Sequence, residues 1–346
     1  MHRVTIAAAA ALLVTGLAAP PDAAADELED FYKGRTVEVA VAAGPGGGFN
    51  AYARLVAKHM AGHVPGKPNM IVKNMPGGGG RLATAWVDKV APKNGAAFLG
   101  TQPGALVEPL LGDPERVKYD PLKFGYIGSA SGFTNICLTR AESPVKTFAD
   151  LQKTETVFGG DQLGSTTHDH ALMMKNLAGA KIRLVKGYSG TKNLVLALEQ
   201  KEIDGFCGYA WASIMSQAPH LVKENKINIL VQFGLEPHAE MTKRGIPQIW
   251  DFVSDAENRK ALELHAAVQV FGRPYIAPPG TPKARLAALQ KAFMATMDDP
   301  AYQADVKKSR LDHDPASGER VKKLITDIFA QPEAVQKKAR WAITHN

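Results

Sequence analysis

The chain of 346 residues carries only two cysteines, Cys137 and Cys207. Two thiols without a histidine cluster nearby do not make a zinc site. In an oxidising compartment they leave room for one internal disulfide, which their spacing cannot establish; two buried thiols packed as small hydrophobes are the other reading. Past the N-terminus no uncharged apolar run approaches the roughly 20 residues of a membrane span. There is also no Arg/Lys run interleaved with aromatics. The net charge of +7 is spread along the chain, which argues against nucleic acid and for a solvated lysine surface with a mild long-range preference for anions. No glutamate pair or Cys/His dyad stands out, and the turn at Ser189 lacks the closing glycine of a Gly-x-Ser-x-Gly elbow. His168-Asp169-His170 brings two histidines together, but side chains two apart on a helix start point to different faces and no third ligand is evident. Packing and capping explain them better. Neither a metal nor a cofactor is expected, and no catalytic residue.

What is present begins with an export signature. Arg3 precedes an apolar stretch from Ile6 to Ala19, and Ala23-Ala24-Ala25 leads into Asp26-Glu27. These are the three parts of a cleaved secretory signal, residues 1–25, which places the remainder in the periplasm. No cysteine lies near the cleavage point, so a lipid anchor is unsupported. Residues 26–346 are enough for two domains with ordinary cores.

In that remainder, strand, Gly-rich turn and helix alternate. Thr36–Val41 reads as a strand before Gly44-Pro45-Gly46-Gly47-Gly48 and a helix from Asn50 to Met60. Met70–Val72 leads to Pro76-Gly77-Gly78-Gly79-Gly80 and a helix through Leu82 and Trp86. Further strands are expected at 97–100, 126–128, 135–139, 156–159, 182–185 and 227–231, and helices from Thr281 onward, with Thr281 as cap and Pro282 in the first turn. This alternation predicts an α/β protein with parallel or mixed sheets. Five of the turns are rich in Gly, Ser and Thr, and in open α/β sheets such turns gather at the carboxyl edge, where ligands bind. Glycines let backbone N–H groups approach a ligand closely, and the following helix adds unpaired N–H groups and the positive end of its dipole. A carboxylate suits such a place.

The run Gly44–Gly48 before Ala53-Arg54, Asn74-Met75-Pro76-Gly77-Gly78-Gly79-Gly80, Leu99-Gly100-Thr101, Gly164-Ser165-Thr166-Thr167-His168, Gly187-Tyr188-Ser189-Gly190 with Ile203-Asp204, and Ala277-Pro278-Pro279-Gly280-Thr281-Pro282 together resemble the Bug-type receptors of tripartite tricarboxylate transporters. The resemblance runs in order through nearly all of the chain after the signal. It implies a two-domain, type II periplasmic-binding-protein fold, each domain a mixed sheet flanked by helices, with the cleft between them closing on a carboxylate. The expected division is residues 26–138 plus 229–346 for domain I and 139–228 for domain II. It also implies that Gly46, Gly47, Gly48 and Phe49 face Ser165, Thr166, Thr167 and His168 across the ligand, with Asn50, Thr101, Tyr188, Gly190, Thr191 and Asp204 as further ligand-binding candidates. Transporter membrane subunits are the implied partners of a monomeric receptor.

One departure bears on specificity. Where the family's first turn continues with Ser or Thr and then Asp, this chain has Phe49 and Asn50, which removes a hydroxyl and a negative charge. Phe49 then offers either an aromatic wall or a core-facing residue at the helix start; Tyr209 and Trp211 pose the same choice. Two other classes of function compete. Gly78-Gly79-Gly80-Arg81-Leu82-Ala83 fits Gly-x-Gly-x-x-Ala after a strand, as in a dinucleotide-dependent enzyme, although the acidic residue expected about 20 positions on is not clear. A scaffold or adhesive protein would show no ligand-dependent closure.

Overall fold

The computed structural model describes residues 21–346 except 113, 114 and 116. The expected signal, residues 1–25, lies outside them apart from the backbone of 21–25, which opens the helix Pro21–Tyr32. No described helix is long and apolar enough to cross a membrane.

Eleven strands are described: β1 (Thr36–Val41), β2 (Asn69–Asn74), β3 (Ala97–Gly100), β4 (Gly125–Ser129), β5 (Asn135–Arg140), β6 (Thr156–Gly160), β7 (Ile182–Lys186), β8 (Gly205–Ala210), β9 (Ile227–Phe233), β10 (Pro274–Ala277) and β11 (Ala316–Ser317). They form two mixed sheets, ordered β11-β4-β10-β3-β1-β2 and β7-β6-β8-β5-β9. In the first, β1 is parallel to β2 and β3, while β10 inserts antiparallel between β3 and β4. In the second, β6 is parallel to β7 and β8, and β5 runs antiparallel between β8 and β9. Helices flank both sheets, as expected.

The expected domain limits at 138/139 and 228/229 fall inside β5 and β9, and both strands belong to the second sheet along their whole length. The chain therefore changes sheets before Asn135 and after Phe233. The helix start near residue 282 also differs from expectation. The helix Lys283–Asp298 takes Pro282 as its N-cap, and the Thr281 hydroxyl turns back to donate to the Pro278 carbonyl at 2.8 Å. Among the elements without a sequence expectation are β10 and the helix Ala256–Ala267, which Asp255 caps by accepting from Asn258 N–H.

The C-terminal helix Glu333–Thr344 crosses from lobe to lobe, packing on Pro103–Leu111, Thr166–Ala178 and Ala256–Ala267. Arg340 Nε donates to the Leu110 carbonyl at 2.9 Å, and Asn176 Nδ2 donates to the carbonyls of Ala342 at 2.8 Å and His345 at 2.7 Å. Under this strap, in an apolar core, lie two buried histidines. His170 stacks edge-on against Phe233 at 4.8 Å, and His265 Nε2 sits 3.1 Å from the Ala339 carbonyl. Burial, with His265 beside it, pushes His170 down to about 3. In the second sheet Cys137 and Cys207 are cross-strand partners in β5 and β8 and form a disulfide.

Two tests follow from this core. The disulfide closes a loop with 70 residues between its ends; replacing both cysteines by Ser, or reducing the bond, is expected to lower urea stability by about 2–4 kcal/mol. His170 is held neutral in the folded state, so its contribution is full above the unfolded value near 6.5 and is lost as pH falls from there toward 3. His170→Asn is expected to flatten the fall in unfolding free energy between pH 6.5 and 4.5, where one such group contributes up to about 1.4 kcal/mol per pH unit. An unchanged slope would place the acid sensitivity elsewhere.

Candidate functional site

After β1 the chain turns through Gly46, at φ +84°, into the helix Gly48–Met60. Its N-cap is Gly47, with no side-chain cap and no acidic residue in the first turn. The first N–H groups of a helix have no intrahelical partner, so this start presents donors and the positive end of the dipole. Asn50 does not join them: it is buried, and its Oδ1 accepts from Asn74 Nδ2 at 3.0 Å, pinning the turn to the end of β2. Thr101 is likewise internal, its hydroxyl 2.8 Å from that of Thr84.

In the second lobe the turn after β6 is built as a rigid backbone surface. Ser165 Oγ accepts from His168 N–H at 3.3 Å and caps the helix Thr166–Ala178. Thr166 Oγ1 donates to the Gly208 carbonyl at 3.0 Å, and Thr167 Oγ1 accepts from Asp161 N–H at 3.2 Å. Asp169 Oδ1 lies 2.8 Å from His168 Nδ1 and also accepts from Gly164 N–H at 3.1 Å. The side chains of Ser165, Thr166, Thr167 and His168 are thus engaged within the lobe. Asp161, which sequence reasoning missed, stands on the same turn, and burial pushes its carboxyl up. Burial pushes the Tyr209 phenol up, and burial with the nearby Glu202 carboxylate pushes up that of Tyr188. Asp204 lies away from all of these. It immediately precedes β8, at the edge of the sheet opposite the β6 turn, and forms an ion pair with Arg140 at 2.8 Å.

The lobes meet through glycines. A Cβ on Gly79 would lie 2.7 Å from the Leu163 carbonyl oxygen and 2.8 Å from the Gly164 carbonyl carbon, and one on Gly104 would collide with the Gly164 carbonyl. The Ser165 turn therefore faces Gly79 and Gly104. Gly48 instead faces the helix Trp211–Gln217: a Cβ there would be 2.5 Å from Ser213 Oγ and 3.3 Å from Gln217 Nε2. Gly46 shares a groove with Lys192, Tyr209 and Gln217. The expected direct opposition of Gly46–Phe49 and Ser165–His168 is therefore divided between two separate contacts.

Arg273, at the start of β10, is the residue that sequence reasoning missed most clearly. It is 5% exposed, and its guanidinium lies over the rings of Phe49 at 4.3 Å, Phe133 at 4.7 Å and Tyr52 at 5.3 Å. Phe49 is thus an aromatic wall, and the cation is what it faces. Nη2 donates to Ser213 Oγ across the lobes at 3.2 Å, whereas Nε has no partner. Burial lowers its pKa, with Tyr52 and Asp312 opposing. One signal was available in the sequence: Arg273 is the sole Asp, Glu, Lys or Arg between Glu263 and Lys283. Tyr209 lines the groove, whereas Trp211 is a packing residue, its indole N–H donating to Glu240 at 2.9 Å.

The dinucleotide reading is not favoured. Gly79 and Gly80, which would have to admit a pyrophosphate, are pressed against Leu163–Ser165 and against Gln102 and Ala105. Comparison with known proteins points the same way. The sequence pattern of the tripartite tricarboxylate transporter family receptors matches residues 52–340. A UPF0065 protein of Bordetella pertussis is 25% identical over 286 residues, covering 81% of this chain and 82% of that protein. One from Cupriavidus necator is 26% identical over 318 residues, covering 88% and 86%. Among solved structures the same fold recurs in MatC of Rhodopseudomonas palustris with bound malate, at TM-score 0.68, 20% identity, and 87% and 99% of the two chains covered. It recurs in the periplasmic binding protein BugD, at TM-score 0.67, 20% identity, and 89% and 98% covered. An R. palustris protein solved with adipate gives TM-score 0.67 at 21% identity, with 88% and 97% covered. With two mixed sheets closing on each other through glycine turns and a family pattern spanning most of its length, this chain belongs to the tripartite tricarboxylate transporter family receptors.

Proposed function

We propose that this protein is an exported, non-catalytic receptor that captures a small organic carboxylate between its lobes in the periplasm and, as a monomer, presents the closed form to the membrane subunits of a tripartite transporter. The observation that carries the reading is the interlobe surface itself: Gly79 and Gly104 let the first lobe approach the backbone of Leu163 and Gly164, and separately the uncapped start of Gly48–Met60, offering N–H donors, faces Ser213 and Gln217 of the second lobe. Such a surface suits an anion and needs no bond to be broken. The family's bound ligands support the same class, since MatC was solved with malate and a second relative in fold with adipate. Of the residues expected from sequence, the backbone of Gly46 to Phe49 and of Ser165 to Thr167 is best placed for the ligand. Gly190 and Thr191 lead into Lys192, which lines the groove, and Asn50, Thr101 and Asp204 serve the scaffold.

Ligand shifts an open–closed equilibrium only by its differential affinity for the closed state, and the close glycine contacts set how far closure can go. Thermal unfolding against acetate, succinate, malate, adipate, benzoate, amino acids, sugars and NAD is expected to show stabilisation by one class of carboxylate alone, worth about 2.7 kcal/mol at 100 times the dissociation constant. Stabilisation by NAD alone, or by nothing, would return the reading to an enzyme or a scaffold. Gly104→Val is expected to hold the lobes apart, reducing affinity at least tenfold and removing the ligand-induced fall in radius of gyration seen by small-angle scattering. Undiminished closure would show that the glycine contact does not limit it.

A further inference from the structure

Around Gly48 the protein gathers donors and no acid. The helix Gly48–Met60 starts there without a side-chain cap and without an acidic residue in its first turn. The position of a Cβ on Gly48 is 3.3 Å from Arg273 Nη2, 3.3 Å from Gln217 Nε2 and 2.5 Å from Ser213 Oγ. Arg273 Nε and Gln217 Nε2 are both buried without a hydrogen-bond partner. Arg273 has no carboxylate within ion-pair distance among the described residues; Asp312 reaches it only as a longer-range charge. The rings of Phe49, Tyr52 and Phe133 flank the guanidinium carbon, Nη1 reaches the Gly272 carbonyl at 3.5 Å and Nη2 reaches Ser213 Oγ at 3.2 Å, which leaves Nε, with the edge it shares, for a planar acceptor.

A buried charge that lacks a counter-ion and keeps an unbonded donor is costly, and proteins keep one chiefly where something else completes it. A guanidinium fork beside a helix start is matched by a carboxylate. We propose that Arg273, Ser213 and Gln217 form the anion seat of this receptor at the start of Gly48–Met60, the ligand carboxylate acting as counter-ion to the buried guanidinium. The inference rests on the carboxylate-receptor reading above and adds the residues that would hold the acid. It also supplies a coupling: Arg273 leads into β10 of the first sheet, and Ser213 and Gln217 lie on the helix that follows β8 of the second, so one carboxylate bonded to all three ties the lobes together.

The test titrates the whole protein and its variants with acetate, succinate, malate, adipate and benzoate by calorimetry, alongside thermal unfolding without ligand. Arg273→Met is expected to weaken the best acid at least 100-fold. Arg273→Lys, which keeps the charge and loses the fork, is expected to recover part of that. Ligand-free Arg273→Met is expected to melt no lower than the unaltered protein, since a buried uncompensated charge has been removed; a purely structural arginine would lower the melting temperature and leave affinity within threefold, which would overturn the proposal while the receptor reading stands. Should Arg273→Met fail to fold, Ser213→Ala and Gln217→Leu each remove one donor and are expected to weaken binding 3- to 20-fold, and unchanged affinity in both would equally overturn it. Binding of none of these acids by the unaltered protein would overturn the receptor reading and the seat together.

Discussion

Everything at the centre of this molecule depends on two backbones being able to touch. Gly104 meets the Gly164 carbonyl and Gly79 meets Leu163 and Gly164 with no space for a methyl group. Side chains at these places would push the lobes apart. Gly79 carries a second constraint, since its φ of +63° lies in the left-handed region that side chains resist. The glycine turns are therefore steric devices first; the N–H groups they expose become useful because the steric condition is met.

Rigidity around the contact makes that closeness reproducible. In the second lobe the helix Thr166–Ala178 is capped by Ser165 and tied to β8 through Thr166 and the Gly208 carbonyl, and β8 is tied to β5 by the Cys137–Cys207 disulfide. The C-terminal strap holds both lobes through Arg340 and Asn176. Packed cores respond to load by switching between discrete arrangements rather than by deforming continuously. A lobe built this way is held together by covalent and hydrogen-bonded ties as well as by its core.

Against that stiff frame the buried guanidinium of Arg273 stands out electrostatically. Most long cationic side chains of this basic chain reach solvent, whereas this one is enclosed by Phe49, Tyr52 and Phe133 and donates across the cleft to Ser213. The exchange of the family's hydroxyl-and-acid pair for Phe49 and Asn50 acquires a reason here. An acidic residue at position 50 would add a negative charge to the first turn of that helix, whereas Asn50 is neutral and bonded to Asn74, and Phe49 supplies a ring against which the cation rests.

Much of the fold was legible because the signals are local. Strand periodicity, glycine before a helix and a proline in a first turn act over a few residues, and β1, β2, β3 and β6 lie where those patterns put them. The candidate site was legible only in part. Gly48 faces the second lobe and the Leu163–Ser165 backbone faces Gly79 and Gly104, whereas Asn50 and Thr101 bond inward and Asp204 pairs with Arg140. By itself the sequence determined the alternation of strand, glycine turn and helix, and with it the carboxyl-edge donors that an anion would find, because a backbone without Cβ atoms and a helix start carry that chemistry wherever they are placed. Only the tertiary structure decided that Cys137 and Cys207 are paired, that the first turn looks onto Ser213 and Gln217, and that Arg273 sits beside Gly48, because each of these depends on residues 60 or more positions apart in sequence being brought within a few ångströms by the closing of two sheets.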